Sequence, residues 1–204
     1  PGRSGEAAAP VVKLPDAIDV AAAQASEARA AQTLRIISMA QEKLREARSI
    51  DTNGDTLGEY GYLAELMGTA PLRSVRRDSL VDISELNAFL PLKSAQMIST
   101  SEGGACEVGG YLYAMYLPAT PLVGGQVEGL QEALHGGCGE SIPDPNQSAL
   151  RWCAYAWPST ETFPARRAFF LDATGRALST PHTLERPQCY VGASRAPSWD
   201  AAYS

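Results

Sequence analysis

The chain has 204 residues, 45% of them hydrophobic, and its 17 Lys and Arg against 23 Asp and Glu give a formal charge of -6. A chain of that size and apolar content buries a core of its own and is not a disordered tail. Its basic residues are scattered apart from the short run "RSVRR", so no basic face points to nucleic acid as a partner. No apolar run approaches the roughly 20 residues that span a bilayer, and the start "PGRSGEAAAPVVKLP" lacks the apolar centre of a signal peptide. The chain as given reads as soluble, with any export signal or anchor lying ahead of its numbering.

Taken in order, residues 1–15 read as a flexible Pro- and Ala-rich segment ahead of a single domain over 16–204. Asp16 is positioned to cap a long helix over 16–49. Within it Leu34, Ile37, Gln41, Leu44 and Ala47 recur at helical spacing, with Ala30, Thr33 and Ala40 widening the stripe, so one side is buried. The Ala-rich first turns carry little large apolar surface; they either project from the domain or pack on a partner. Residues 50–105 read as short helices and loops, with helices at Tyr60 to Met67 and Ile83 to Leu90, the second stopped by Pro91.

Residues 106–204 read as sheet and loops. "GGYLYAMYLPA" and "LRWCAYAWPS" are aromatic, partly alternating and ended by proline, and "RRAFFLDATGRALST" reads as two strands joined by "DATG". The stretch between the first two is a long excursion with one helical turn. Helix first and antiparallel strands second predict an α+β fold in which the long helix covers one sheet face.

Cys106, Cys138, Cys153 and Cys189 lack the close CxxC spacing of zinc or redox sites. Two disulfides in an exported protein are expected, Cys106 with Cys138 and Cys153 with Cys189, because each pair closes a separate Gly- or Pro-rich excursion. The fold expected is therefore a long N-terminal helix on an antiparallel sheet with extended disulfide-braced loops.

The phrases "ASEARAAQTLRIISMAQEKLREA", "DTNGDTLGEYGYLAELMG", "GGYLYAMYLP", "WCAYAWPS" and "RRAFFLDATGRAL", spanning Ala25 to Thr180, resemble the exported part of bacterial type IV pilin-like and type II secretion pseudopilin-like proteins. The resemblance implies a long helix packed on an antiparallel sheet, in a structural subunit of a pilus-like filament or secretion pseudopilus. It also implies a place in the cell envelope outside the cytoplasm, and other pilin-like subunits or secretion-apparatus proteins as partners. The family's hydrophobic anchor and cleavage site are not in this sequence, so membrane contact would come only through a segment this chain lacks.

In "DTNGDTLGE", Asp51, Asn53 and Asp55 offer side-chain oxygens at alternate positions, and Glu59 adds another. That is how a loop curls around a hard cation, and it resembles the start of an EF-hand. The pattern then departs from it, with Thr56 in place of the glycine and Tyr62 where a bidentate carboxylate would close the site. Two readings stay open, a calcium site and a turn built on Asn53-Gly54. The family's occasional use of calcium does not choose the loop.

Catalytic signatures are weak. His135 near Cys138 resembles an activated thiol, but catalytic Cys and His pairs meet across a fold, with His182 the only other histidine, and a disulfide at Cys138 would remove the nucleophile. The glycine runs "GGACEVGG" and "GGQVEG" lack the P-loop ending and read as loop glycines. Asp78 with Asp82, and Asp144, show no acid and base spacing, while Arg166 and Arg167 read as edge charges opening a strand. Trp152, Tyr155 and Trp157 with Tyr111, Tyr113 and Tyr116 form either core or a stacking platform for sugars or bases. The reading is a non-enzymatic assembly subunit; a secreted calcium-dependent ligand-binding module is the alternative, and an uncharacterised hydrolase the third.

Overall fold

The computed structural model describes residues 17–73, 95–122, 124–162, 165–181 and 189–203. Three expectations lie outside these residues: the Asp16 cap with the 1–15 segment, the helix at Ile83 to Leu90 with Asp78 and Asp82, and His182.

Helix α1 runs over Ala17–Glu46. Its Ala30, Leu34, Ile37, Ala40, Gln41 and Leu44 are buried, which is the apolar stripe at its helical spacing. Two short helices follow among the described residues, α2 at Leu63–Met67 and α3 at Pro145–Ser148. The strands are β1 Gln96–Ser99, β2 Gly104–Val108, β3 Tyr111–Pro118, β4 Gly129–Gln131, β5 Cys153–Pro158, β6 Phe169–Asp172 and β7 Ala177–Ser179. They form one antiparallel sheet in the order β1-β2-β3-β5-β6-β7, with β4 also paired to β3.

Strand β3 is the axis of the sheet and is buried throughout. Along one of its edges, β2 pairs with Tyr111–Tyr113 and β4 with Tyr116–Pro118; β5 runs along the other edge, with Tyr111 opposite Pro158 and Tyr116 opposite Cys153. Side chains alternate across the pleat, so Tyr111, Tyr113, Met115 and Leu117 join the cluster under α1 while Leu112, Ala114 and Tyr116 join a second cluster. On β5 the helix-facing positions are Ala154 and Ala156, small enough for α1 to lie close, and Cys153, Tyr155 and Trp157 take the far side.

That far side is also covered. The C-terminal segment lays Tyr190, Ala196, Trp199, Ala201 and Ala202 over it. Tyr155 Oη donates to Trp199 O at 3.1 Å and Trp157 Nε1 donates to Gly192 O at 2.9 Å. Both aromatic sets therefore pack as core, which is why β3 and β5 are apolar on both faces rather than strictly alternating.

The expected disulfide bracing is overturned. All four cysteines are free thiols. Cys106 and Cys153 are buried on opposite faces of the sheet, in different clusters, while Cys138 is partly buried and Cys189 exposed. Burial pushes the Cys106 thiol up to about 12 and the Cys153 thiol well above its usual value, so neither forms the reactive thiolate readily. What holds the loops is hydrogen bonding and apolar cover. Residues 50–105 also differ from a region of helices and loops, since β1 and the start of β2 lie there, and "GGACEVGG" is a strand followed by its hairpin turn.

Candidate functional site

Three parts of the molecule compete as its working surface: the loop after α1, the buried charges beneath it, and the exposed faces of α1. The loop leaves α1 through Arg48 and returns at Gly58, which passes so close to the helix end that a Cβ there would stand 1.9 Å from Arg45 O. Asp51 accepts from Gly54 N at 2.8 Å and Thr56 N at 3.1 Å. Asn53 Oδ1 accepts from Asp55 N at 3.1 Å, and Asp55 Oδ1 from Leu57 N at 2.7 Å. Thr56 adopts φ 69°, the left-handed conformation that a glycine takes at this point of an EF-hand loop. The fourth ligand candidate is drawn elsewhere: Glu59 is buried, its Oε1 accepting Thr52 Oγ1 at 2.6 Å and its Oε2 facing Arg73 Nη1 at 3.5 Å. The oxygens of Asp51, Asn53 and Asp55 thus serve the chain's own N–H groups. Among the described residues, no three His, Cys, Asp or Glu side chains form a group suited to a metal ion.

Beneath the loop lies a network that single residues gave little sign of. Gln41 on α1 is fully buried and clasps Gly61, donating to its O at 2.6 Å and accepting from its N at 2.9 Å. Arg73 meets Glu65 with Nε to Oε1 at 3.0 Å and donates through Nη2 to Tyr60 O. Burial works to lower the Arg73 pKa, but the charges of Glu65 and Glu59 outweigh it and hold the guanidinium above its ordinary value. Glu132, just beyond β4, receives the Leu63 and Ala64 N–H groups at 2.9 and 2.8 Å, and so satisfies the first turn of α2. Burial pushes its carboxyl up to about 8; the Ala64 N–H pulls the other way and the nearby Glu65 charge adds to the rise. Three buried carboxylates and one buried guanidinium tie the loop, α2 and the sheet together. The network faces the interior, and its chemistry is that of a lock.

The remaining candidates separate. His135 is exposed and lines a shallow hollow with Thr69 and Met97, while Cys138 packs against the helix-side core. Asp144 caps α3, accepting from Gln147 N at 2.9 Å. Arg166 and Arg167 do not open a strand: they precede β6, and their N–H groups donate to Glu27 Oε1 on α1 at 3.1 and 3.3 Å.

Glu27 ties α1 to the chain ahead of β6. From Val20 to Arg29 no side chain is buried, with Ala23, Ser26 and Glu27 partly covered, so about 15 Å of helix, counted from Ala17 to Glu27 at 1.5 Å per residue, is its least packed part. Further along, α1 and β6–β7 flank an apolar groove of about 410 Å³, lined by Leu34, Met39, Phe169, Ala177 and Leu178 among others. Met39 is 62% exposed and Leu178 38%. Among the described residues no helix is long and apolar enough to cross a membrane. No family model matches the chain, and neither a curated protein nor a solved structure matches it.

Proposed function

We propose that this protein is a structural subunit, or a minor or tip component, of a pilin-like filament or secretion pseudopilus at the cell envelope, working by protein-protein assembly and not by catalysis. The observation that carries the reading is the sparsely packed first part of α1, where no side chain from Val20 to Arg29 is buried and Glu27 makes the polar tie to the chain ahead of β6. Its Ala21, Ala22, Ala23 and Ala25 keep it helical without packing and let another backbone approach closely. The apolar groove beside Met39 is a second and different surface. An arm from one copy seated in the groove of the next is a heterologous contact, and repetition of such a contact that does not close on itself yields a filament. With the thiols free, the envelope location rests on the resemblance alone.

A photo-cross-linking residue at Ala25 of the full gene product, in the cells that make it, is expected to give a ladder of multiples of this chain. Its adducts should map to the Met39 and Leu178 region, and Met39→Arg should abolish the ladder. A product that remains monomeric with no self-adduct would overturn the assignment.

A further inference from the structure

Strand β7 is one edge of the sheet: among the described residues it pairs with β6 alone, and Ala177, Leu178 and Ser179 are all exposed. Leu178 lies opposite Phe170, and the rungs two residues away on either side are bonded, Thr180 N to Ala168 O at 2.9 Å and Asp172 N to Arg176 O at 3.3 Å. Bonded rungs alternate along an antiparallel ladder, so Leu178 spends its N–H and C=O on β6 while Ala177 and Ser179 turn theirs to the open edge. The far face of this edge is hollow. A cavity of about 300 Å³ opens there between Phe170, Leu178 and the C-terminal segment, with Tyr155, Tyr190, Ala201 and Ala202 completing its wall. None of its lining residues carries a charge, and Tyr155 Oη is already committed to Trp199 O and Ala202 N.

An open strand edge selects its partner by backbone, since only another extended segment meets outward N–H and C=O groups at strand spacing. Strand β7 is short, but it contains no proline, charge or bulge, the devices that otherwise keep a strand from being added. Register then decides what enters the cavity. Directly opposed residues on paired strands project to the same face, and Leu178, opposite Phe170, projects to the far side. A residue set against Leu178 from outside therefore projects into the cavity, and its two neighbours project to the helix side beside Ala177 and Ser179. An aromatic-walled hollow without charge suits a large uncharged ring, whereas a charged side chain would lose its hydration there and find no counter-charge. We propose that the β7 edge receives an extended segment of a partner protein, added antiparallel as an eighth strand, with one Phe or Trp side chain seated in the cavity. The cavity and the α1 groove share Phe169, Phe170 and Leu178 but open on opposite faces of the sheet, so this surface goes beyond the assembly reading and does not rest on it.

The test is NMR titration of the isotopically labelled protein with the peptide acetyl-Ser-Thr-Phe-Thr-Ser-amide. The comparators are the same peptide with Ala for Phe, the Phe peptide N-methylated at both threonines, and phenol. The Phe peptide is expected to shift the Ala177 and Ser179 amide resonances saturably at millimolar concentration and to slow their hydrogen exchange. The Ala peptide, which leaves the cavity empty, and the N-methylated peptide, which cannot donate to the edge, should each bind about tenfold more weakly or worse. Ser179→Pro removes an outward N–H that β6 does not use, and should weaken the Phe peptide about tenfold. Ala202→Leu, which narrows the cavity, is a second variant expected to weaken it, each variant with its own unfolding curve. No saturable shift with the Phe peptide, or equal binding of the Ala peptide, would overturn the proposal. So would phenol and the N-methylated peptide binding as tightly as the Phe peptide, since the cavity would then be a small-molecule site beside an inert edge.

Discussion

Replacing Arg73 by Met tests whether the buried charges are a lock. Met keeps most of the side-chain volume and removes the guanidinium that lies 3.0 Å from Glu65 and 3.5 Å from Glu59. The two carboxylates left behind are 0% and 1% exposed, with no other cation paired to them among the described residues. Breaking a buried pair by removing one partner costs about 3–5 kcal/mol. For a domain whose whole stability is about 5–15 kcal/mol that is a large share, and at about 2–4 °C per kcal/mol it lowers the midpoint by about 6–20 °C. Urea unfolding near about pH 5 and near about pH 8, followed by tryptophan fluorescence and far-UV circular dichroism, measures it. Arg73→Met with Glu65→Gln should recover part of the loss. A single variant within about 1 kcal/mol of the parent at both pH values would refute the reasoning, and would mean that backbone N–H groups alone satisfy Glu59 and Glu65.

Glu132 gives the parent protein a pH dependence of its own. Its folded carboxyl titrates near 8 against 4.5 unfolded, so its contribution is full below 4.5 and is lost as pH rises through 8. Thermal midpoints should fall across that window, and Glu132→Gln should flatten the fall; equal slopes in both proteins would contradict it. Asp51→Ala removes the acceptor of two loop N–H groups and should lower stability by about 1–2 kcal/mol, equally with calcium and with chelator. A calcium-dependent rise in the parent that the variant lacks would establish a metal site there instead. With Ellman's reagent, exposed Cys189 should react first and all four thiols should titrate after unfolding; a count two lower would restore a disulfide. Ala22→Gly with Ala25→Gly should cut hydrogen-exchange protection in the arm, at about 1 kcal/mol per residue, and leave the global midpoint unchanged. A lowered global midpoint would mean that the arm is packed on the domain.

How much of this was legible depends on where the physics is local. Helix α1 announces itself because Leu34, Ile37, Gln41 and Leu44 repeat at its period, and β3 and β5 because their runs are apolar and end in proline. The hairpin of β6 and β7 was readable from "DATG" between two apolar runs. Strands β1, β2 and β4 were not, being short, rich in polar residues or glycine, and made into strands by the neighbours they pair with. The tail after Cys189 reads as loop because it has no period, yet its Trp199 and Tyr203 complete a core face and a cavity. Glu59, Glu65, Arg73 and Glu132 are dispersed along the chain, and only Glu65, a lone charge in the apolar run "YLAELM", hinted that a carboxylate was being buried. The cysteines mislead in the opposite sense: an even count suggests Cys106 with Cys138 and Cys153 with Cys189, yet all four are free even though Cys138 packs against the cluster that holds Cys106, because spacing along the chain does not report the Cβ distance and direction that pairing needs.

The division of α1 into a packed part and a free part explains why the lock lies where it does. A helix tied down along its whole length would need no special anchor, but one that projects carries any load on its arm into its packed half. Apolar contacts there resist separation and slide with little resistance, since dispersion is non-directional and small per atom pair. Gln41 clasping Gly61 through both its N–H and its C=O, and Glu27 holding the Arg166 and Arg167 N–H groups, are directional, so they fix the helix in register along its axis. Gly61 in turn leads into α2, which Glu65 and Glu132 bind at its first turn and which Glu132 joins to the end of β4. Force applied to the arm therefore reaches the sheet through the exposed Glu27 bonds and, further along, through the Gln41, Gly61 and Glu132 bonds, which are buried, where each bond is stronger than at the surface.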